Sequence, residues 1–204
     1  ADQAIADGRV IVNGKLPEVG QQFNESDVIE LDGAPLKQQK TTTIMLNKPI
    51  KTICSKTQQG NVPTVYSLLP AELQHLTYVG RLDKDTSGLL IMSNDGDLIQ
   101  SVTHPSHQVV KQYEAQLPRA LRPQDLQELQ AGVQLEDGLS KLEISGKGRD
   151  WVIKIHEGRN RQIRRTFEKL GYELTKLHRS KIGKLSLGTL KPGEYKEITA
   201  GEVL

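Results

Sequence analysis

The stretch from Gly80 to Ile91, Gly-Arg-Leu-Asp-Lys-Asp-Thr-Ser-Gly-Leu-Leu-Ile, constrains this chain more than any other. It sets an Arg and an Asp on a turn with Gly80 at one end and Gly88 at the other. The segment Leu76-Thr77-Tyr78-Val79 leads in, and the continuous apolar run Leu89-Leu90-Ile91-Met92 leads out. Such runs, bounded by Gly, Asp and Ser, read as two strands joined by a turn, the second of them buried. A carboxylate on a glycine-flanked turn at the mouth of two strands is a common way to present a nucleophile or general base. Asp and Ser also favour turns for purely local hydrogen bonding, so a solvated loop is the plainer reading of the same residues.

Composition narrows the class. A chain of 204 residues fits one to two domains with a real core. No segment approaches the ~20 apolar residues of a membrane helix, and there is no secretory apolar region. The single cysteine, Cys54, excludes an intrachain disulfide and fits a reducing cytosol, so a cytoplasmic protein is expected. Its run, Thr52-Ile53-Cys54, reads as a strand with a buried structural thiol. Net charge is only +2, yet residues 1–33 hold two basic and seven acidic residues, whereas residues 156–184 hold nine Lys/Arg against three Glu. That asymmetry points to a localised basic face for a phosphate backbone, or to a solvated helix face.

Along the chain, Ala1 to Ala6 reads as a helix end, and Val10-Ile11-Val12 followed by Asn13-Gly14 as a strand meeting a tight turn. A second short strand, Asp27 to Leu31, ends at Asp32-Gly33. The polar, aperiodic, Pro-containing stretch 34–40 reads as a linker. From Thr41 onward strands are expected at 43–47, 76–80, 88–92, 109–117, 141–145, 151–156 and 173–179. Helices are expected at 95–103, after Asn94, at 123–131, opened by Pro123 and closed by Gly132, and at 160–170. In the last, Asn160 is the candidate cap, Gly171 the stop, and Ile163, Phe167 and Leu170 the apolar stripe.

Further segments carry chemistry-bearing residues. Leu46-Asn47-Lys48-Pro49 reads as a strand ended by proline. In Val109 to Ala115, alternation places Lys111, Tyr113 and Ala115 on one face of a strand. Aromatic residues make up only 4% of the chain, so Tyr113 merits weighing as more than packing. In Glu157-Gly158-Arg159-Asn160-Arg161-Gln162-Ile163-Arg164-Arg165, helical spacing turns Arg161, Arg164, Arg165 and Glu168 away from the stripe, as an exposed basic face would. Of five histidines only His104 and His107 are close, and no Cys or carboxylate completes a metal set, so no metal is expected. Phosphate-loop, dinucleotide-loop and Gly-x-Ser-x-Gly motifs are absent, and no cofactor is expected.

Taken together, Gly80 to Leu90 in the form G-R-L-D-x-x-T/S-x-G-L-L, then Ser93-Asn94-Asp95-Gly96, resembles the central signature of the pseudouridine synthases. The closest similarity is to the bacterial ribosomal RNA enzymes of the RsuA type. The segments around Lys48, Tyr113 and Arg164, and Leu177-His178-Arg179-Ser180-Lys181-Ile182-Gly183, follow in the family's order. Where that family usually has Gly two residues after the Pro, this chain has Lys51. The first 33 residues resemble the second half of an S4 RNA-binding domain without its two basic helices, so a truncated S4-like unit is expected at 1–33 and a catalytic domain at 41–204.

The resemblance implies an α+β architecture, the pseudouridine synthase fold, with a mixed, mostly antiparallel sheet in two halves flanked by helices around a central cleft. It implies isomerisation of a flipped-out uridine, with Asp83 as the catalytic residue, Tyr113 stacking on the uracil and Arg164 paired to Asp83. Arg81, Lys48, Lys111, Arg159, Arg161, Arg165 and Arg179 are then the RNA-binding residues, with Arg81 bracing the vacated stack. The substrate implied is ribosomal RNA, 23S favoured over 16S, with a tRNA open as second target and a monomeric enzyme expected. A non-catalytic RNA-binding or ribosome-assembly protein on the same fold is the alternative.

Overall fold

The computed structural model describes residues 2–18, 20–24, 26–36 and 40–204. It divides into two units, Ala1–Lys40 and Thr41–Leu204. The first contains helix α1 (Asp2–Ala6) and strands β1 (Val10–Val12), β2 (Ile29–Leu31) and β3 (Ala34–Pro35), joined antiparallel in that order. Asn13 and Gly14 both take left-handed conformations, with φ of 49° and 78°, as a tight Asn-Gly turn requires. The Val12 and Lys15 backbones close that turn by exchanging hydrogen bonds of 2.7 and 3.0 Å. The start of the expected linker is instead a strand, because Asp32-Gly33 makes a second tight turn that returns Ala34 and Pro35 onto β2. The middle of that linker, 37–39, and Ala1 of the expected helix end lie outside the described residues.

The second unit runs β4 (Thr43–Lys48), β5 (Thr77–Val79), β6 (Ser87–Ser93), α2 (Gly96–Thr103), β7 (Lys111–Gln116), α3 (Pro123–Ala131), β8 (Val133–Leu135), β9 (Gly138–Ser140), β10 (Glu143–Lys147) and β11 (Asp150–Ile155). It continues with α4 (Gln162–Lys169), β12 (Lys176–Ile182), β13 (Leu185–Ser186), β14 (Tyr195–Glu197) and α5 (Ala200–Val203). The main sheet has the order β10-β11-β7-β12-β6-β4-β14, with β13 beside β12 and β5 beside β6; β8 and β9 form a separate hairpin. Strand pairs are antiparallel, except that β12 runs parallel to β6. This is the mixed, mostly antiparallel α+β sheet that the sequence led us to expect.

Alternation along the strands sends side chains to two apolar layers. Ile44, Leu46, Leu90 and Met92 join one layer, with Leu129 of α3 and Ile163 and Phe167 of α4. Met45, Leu89 and Ile91 join the other, with Leu98 and Val102 of α2 and Val203 of α5. With both faces covered, β6 is buried from Gly88 to Ser93, which is why its sequence is a continuous apolar run rather than an alternating one.

The strand expected at 52–54 is only a single bridge between Ile53 and Thr64, and three further elements differ from the sequence expectation for identifiable reasons. The strand expected at 173–179 begins at Lys176 and runs on to Ile182, because a bulge at Ser180 breaks the alternation that would have extended it. Helix α2 is capped by Asp95, whose carboxylate accepts from the amides of Asp97 and Leu98, whereas Asn94 accepts from the Thr42 amide. Helix α4 starts after Arg161, held at φ 47°, and the carbonyl of Asn160 accepts from Arg165 Nε. Gly171, at φ 77°, ends it as anticipated.

The halves of the sheet meet at the parallel step, where two residue pairs are in register, His178 with Ser87 and Arg179 with Gly88. Ser87 Oγ and His178 Nδ1 lie 2.9 Å apart across it. Gly88 sits at φ 109°, and a Cβ there would stand 2.3 Å from the carbonyl oxygen and 2.6 Å from the amide nitrogen of Arg179. Both obstacles are backbone, so no rotamer change relieves the clash. Gly88→Ala is therefore expected to destabilise the protein by more than about 3 kcal/mol, beyond ordinary overpacking. The midpoint of urea unfolding measures it, and a variant as stable as the parent would show that the close approach is not required.

Candidate active site

The loop 80–86, between β5 and β6, is held from Leu82 onward by polar and apolar contacts. Leu82 is buried in the core, and its amide faces Cys54 Sγ at 3.5 Å. The carbonyl of Asp83 accepts from the Thr86 amide at 3.1 Å, closing the turn. The carbonyl of Lys84 accepts from the Lys51 amide at 2.7 Å. Lys51 holds φ 63°, so the lysine standing at the glycine position still adopts the left-handed backbone a glycine would supply. From the opposite side, Arg164 Nη2 donates to the carbonyl of Asp85 at 2.8 Å.

Held this way, the half-buried Asp83 lines a cleft of about 680 Å³ together with Arg81, Lys111, Tyr113, Arg164 and Arg179. That volume lies in the range of small-molecule pockets and admits one nucleotide unit. Among the described residues the Asp83 carboxylate makes no hydrogen bond or ion pair. Tyr113, on β7, is buried with its ring lining the cleft. Arg81 is exposed at the rim.

Arg164 is not on an exposed face: it is 8% exposed and reaches under the loop, with Nη1 donating to the Leu174 carbonyl at 3.3 Å. The expected direct pair with Asp83 is not made in this structure. The guanidinium is held by backbone carbonyls instead, because helix α4 brings it beneath residues 85–86 rather than beside 83. Burial lowers its pKa, and the attraction of Asp85 and Asp83 works against that shift. The charge of Arg164 therefore acts on Asp83 through space and through the loop it braces.

Three of the expected RNA contacts, Lys48, Arg159 and Arg165, are held within the protein instead. Lys48 is 0% exposed and donates to the carbonyl of Pro49 at 2.8 Å, so it is closed to phosphate. Burial lowers its pKa to about 8, against the pull of Cys54, Asp83 and Asp85. Arg159 reaches the β8–β9 hairpin, where Nη1 lies 2.9 Å from Asp137 Oδ1 and also donates to the carbonyls of Asp137 and Gly138. Its Nη2 donates to the Leu139 carbonyl at 3.0 Å and to Glu157 at 3.2 Å. Arg165 Nη2 lies 2.6 Å from the other oxygen of Asp137. Both terminal nitrogens of Arg159, and Nε and Nη2 of Arg165, are thus engaged within the protein, while Arg159 Nε is buried without a partner among the described residues. Sequence reasoning missed Asp137, although Asp137-Gly138 carries the signature of a tight hairpin. Arg161 is half-exposed beside Glu168 at 3.6 Å, Lys111 is half-buried, with burial and the charge of Arg179 lowering its pKa, and Arg179 is 3% exposed. No group of three or more His, Cys, Asp and Glu capable of holding a metal occurs among the described residues.

A family model described as RNA pseudouridylate synthase matches residues 42–169, which include the Asp83 loop, Tyr113 and Arg164. The chain belongs to this family. It is an RNA pseudouridine synthase, an isomerase. It is 35% identical over 213 residues to ribosomal large subunit pseudouridine synthase B of Bacillus subtilis, covering 100% of this chain and 87% of that protein. It is 34% identical over 212 residues to ribosomal small subunit pseudouridine synthase A of Vibrio parahaemolyticus, covering 100% of this chain and 91% of that one. A crystal structure of a pseudouridylate synthase superposes with a TM-score of 0.75 at 30% identity, covering 98% of this synthase and 90% of the other chain.

Two outcomes follow for the synthase. Arg159→Ala removes a half-buried fork from the hairpin and is expected to lower stability by about 1 kcal/mol, the low end for hydrogen bonds to a charged group once solvent screening is allowed for; an unchanged urea midpoint would refute the latch. Lys48 has a folded-state pKa of about 8 against an ordinary 10.5, so the unfolded chain binds the extra proton between those values. Its burial thus costs stability below pH 8, and the cost is relieved as pH rises toward 10.5. Stability of the parent relative to Lys48→Met should move in the parent's favour across that window, read from unfolding midpoints at each pH.

Proposed function

We propose that this enzyme isomerises a specific uridine of ribosomal RNA to pseudouridine, with Asp83 as its catalytic group. The observation that carries the reading is the Asp83 carboxylate, half-buried and free of protein partners in the cleft that also holds Tyr113 and Arg164. A carboxylate without an internal partner is available to a substrate atom. The buried cations Lys48 and Arg164 both interact electrostatically with it.

In this reading the uridine leaves its stack, at a cost of a few kcal/mol, and enters the cleft while Arg81 braces the vacated space. Tyr113 offers its ring to the uracil face. The N1–C1′ bond breaks with its electron pair passing to the uracil. Asp83 bonds covalently to C1′ or to the base, or takes a proton from the sugar. The free base turns and C5 bonds to C1′ as the bond to Asp83 breaks, or as Asp83 returns its proton to the sugar; the C5 proton then leaves and N1 is reprotonated, so atoms and electrons balance with no external reagent. Arg164 fixes the loop that carries Asp83, and Lys111 and Arg161 add positive charge along the cleft.

The stretch Arg159 to Arg165, Arg-Asn-Arg-Gln-Ile-Arg-Arg, resembles the large-subunit enzymes and supports 23S ribosomal RNA over 16S, and the likeness to the large-subunit enzyme agrees. The similar identity to the small-subunit enzyme makes 16S the outcome to test against. A tRNA as second substrate, a monomeric state, a cytoplasmic location and an S4-like role for residues 1–33 belong to the same reading.

Asp83→Asn removes the charge at nearly constant volume. It is expected to leave a folded protein with RNA affinity within about threefold of the parent and a turnover lowered at least ~10³-fold. Release of tritium from RNA carrying [5-³H]uridine reports the chemistry, and 16S and 23S transcripts supplied separately report the target. Near-parental release by Asp83→Asn would remove Asp83 from the mechanism.

A further inference from the structure

Arg179 is not explained by phosphate binding. At 3% exposure it cannot meet the backbone of an RNA chain, yet it lines the cleft. Its Nε donates to the Leu89 carbonyl at 2.7 Å, which locks the plane of the guanidinium. Its Cζ lies 6.0 Å from the centre of the Tyr113 ring, and Nη1 is 3.5 Å from the Tyr113 hydroxyl, a distance at the limit of a hydrogen bond. Nη2 is buried with no partner among the described residues. Other buried side-chain atoms share that condition, but Arg179 is the one that also contacts Tyr113. A fixed cation with a free donor beside the ring meant to carry the base is placed for the base itself.

The chemistry supplies the need. When N1–C1′ breaks, the electron pair stays on uracil and its negative charge spreads from N1 onto the two carbonyl oxygens. In a partly desolvated cleft, a preorganised donor at one of those oxygens strengthens as the charge develops. The fork of arginine also accepts only oxygens near its plane, which favours a base in one orientation.

We propose that Arg179 is a catalytic residue of this synthase, whose free Nη2 donates to a carbonyl oxygen of the extruded uracil and stabilises the departing base as an anion. The same contact holds the detached uracil near C1′ until C5 bonds. The proposal rests on the reading of Asp83 and Tyr113 given above. It assigns Arg179 to leaving-group stabilisation, distinct from loop bracing by Arg164.

The test uses the full chain with Arg179→Lys and Arg179→Gln, on ribosomal RNA transcribed with uridine or with 5-fluorouridine. Fluorine withdraws charge from the base and makes it a better leaving group, so it lessens the need for Arg179. Urea midpoints and RNA affinities are measured first, then single-turnover scission of the N1–C1′ bond at saturating RNA. Arg179→Lys keeps a charge without the anchored fork. It is expected to remain folded, to bind RNA within threefold of the parent, and to lose about 10²-fold in rate on uridine, the scale of removing one preorganised donor. Arg179→Gln should lose more. Both losses should shrink at least fivefold on 5-fluorouridine. Equal losses on the two bases would reduce Arg179 to a structural residue, as would full rate in Arg179→Lys; if Arg179→Gln does not fold, Arg179→Lys alone decides. Asp83→Asn serves as the control: if it too were active, the fault would lie with the catalytic reading rather than with Arg179.

Discussion

The structure hangs on the close approach of two backbones at Gly88 and Arg179. A parallel pair within an otherwise antiparallel sheet joins strands that arrive from opposite halves of the unit, and only two residue pairs are in register there. The missing side chain of Gly88 lets Arg179 come near enough for that pairing. Gly88 also pairs with Lys48 on its other side, so one residue spaces three strands. The groups that matter for chemistry cluster around this point. Asp83 lies on the loop that enters β6, Tyr113 pairs with Arg179 across β7 and β12, and Lys48 fills the space beneath.

The loop of Asp83 is consequently tied to both halves of the sheet. Lys51, just beyond β4, holds the carbonyl of Lys84, and Arg164, from α4, holds the carbonyl of Asp85. Neither bond touches the reacting carboxylate. They fix its backbone and leave its oxygens free, so a rigid scaffold carries a reactive group on a loop. Burying Lys48 and Arg164 without direct ion pairs costs desolvation energy, which only a surrounding core of this size can offset.

Much of this was legible in the sequence. The buried strand Leu89-Leu90-Ile91-Met92 announced itself because both its faces are covered, and α3 and α4 showed an apolar stripe with glycine stops. The family resemblance singled out Asp83, Tyr113 and Arg164, and these three line one cleft, whereas Lys48 does not. Whether an arginine on α4 faces solvent or the core was not legible: spacing turned Arg164 outward, whereas the loop 80–86 packs over that side of the helix and buries it. Nor could spacing show that Lys48 is sealed in, since a lysine before proline at a strand end reads as exposed. The bulge at Ser180 hid the end of β12, because a single extra residue reverses the alternation beyond it. The β8–β9 hairpin was marked by Asp137-Gly138, but its partner arginines lie more than twenty residues away, and that pairing is a tertiary fact.

The hairpin alters what the basic segment offers to a polyanion. Counted from sequence, residues 156–184 carry nine cations, but Arg159 and Arg165 share Asp137, and Arg164 and Arg179 are buried. Cations already neutralised or enclosed displace few counterions from a nucleic acid, and the slope of affinity against ionic strength counts only those that do. The salt sensitivity of RNA binding should therefore be shallower than the composition suggests, leaving shape and the fit of a single base to carry more of the recognition.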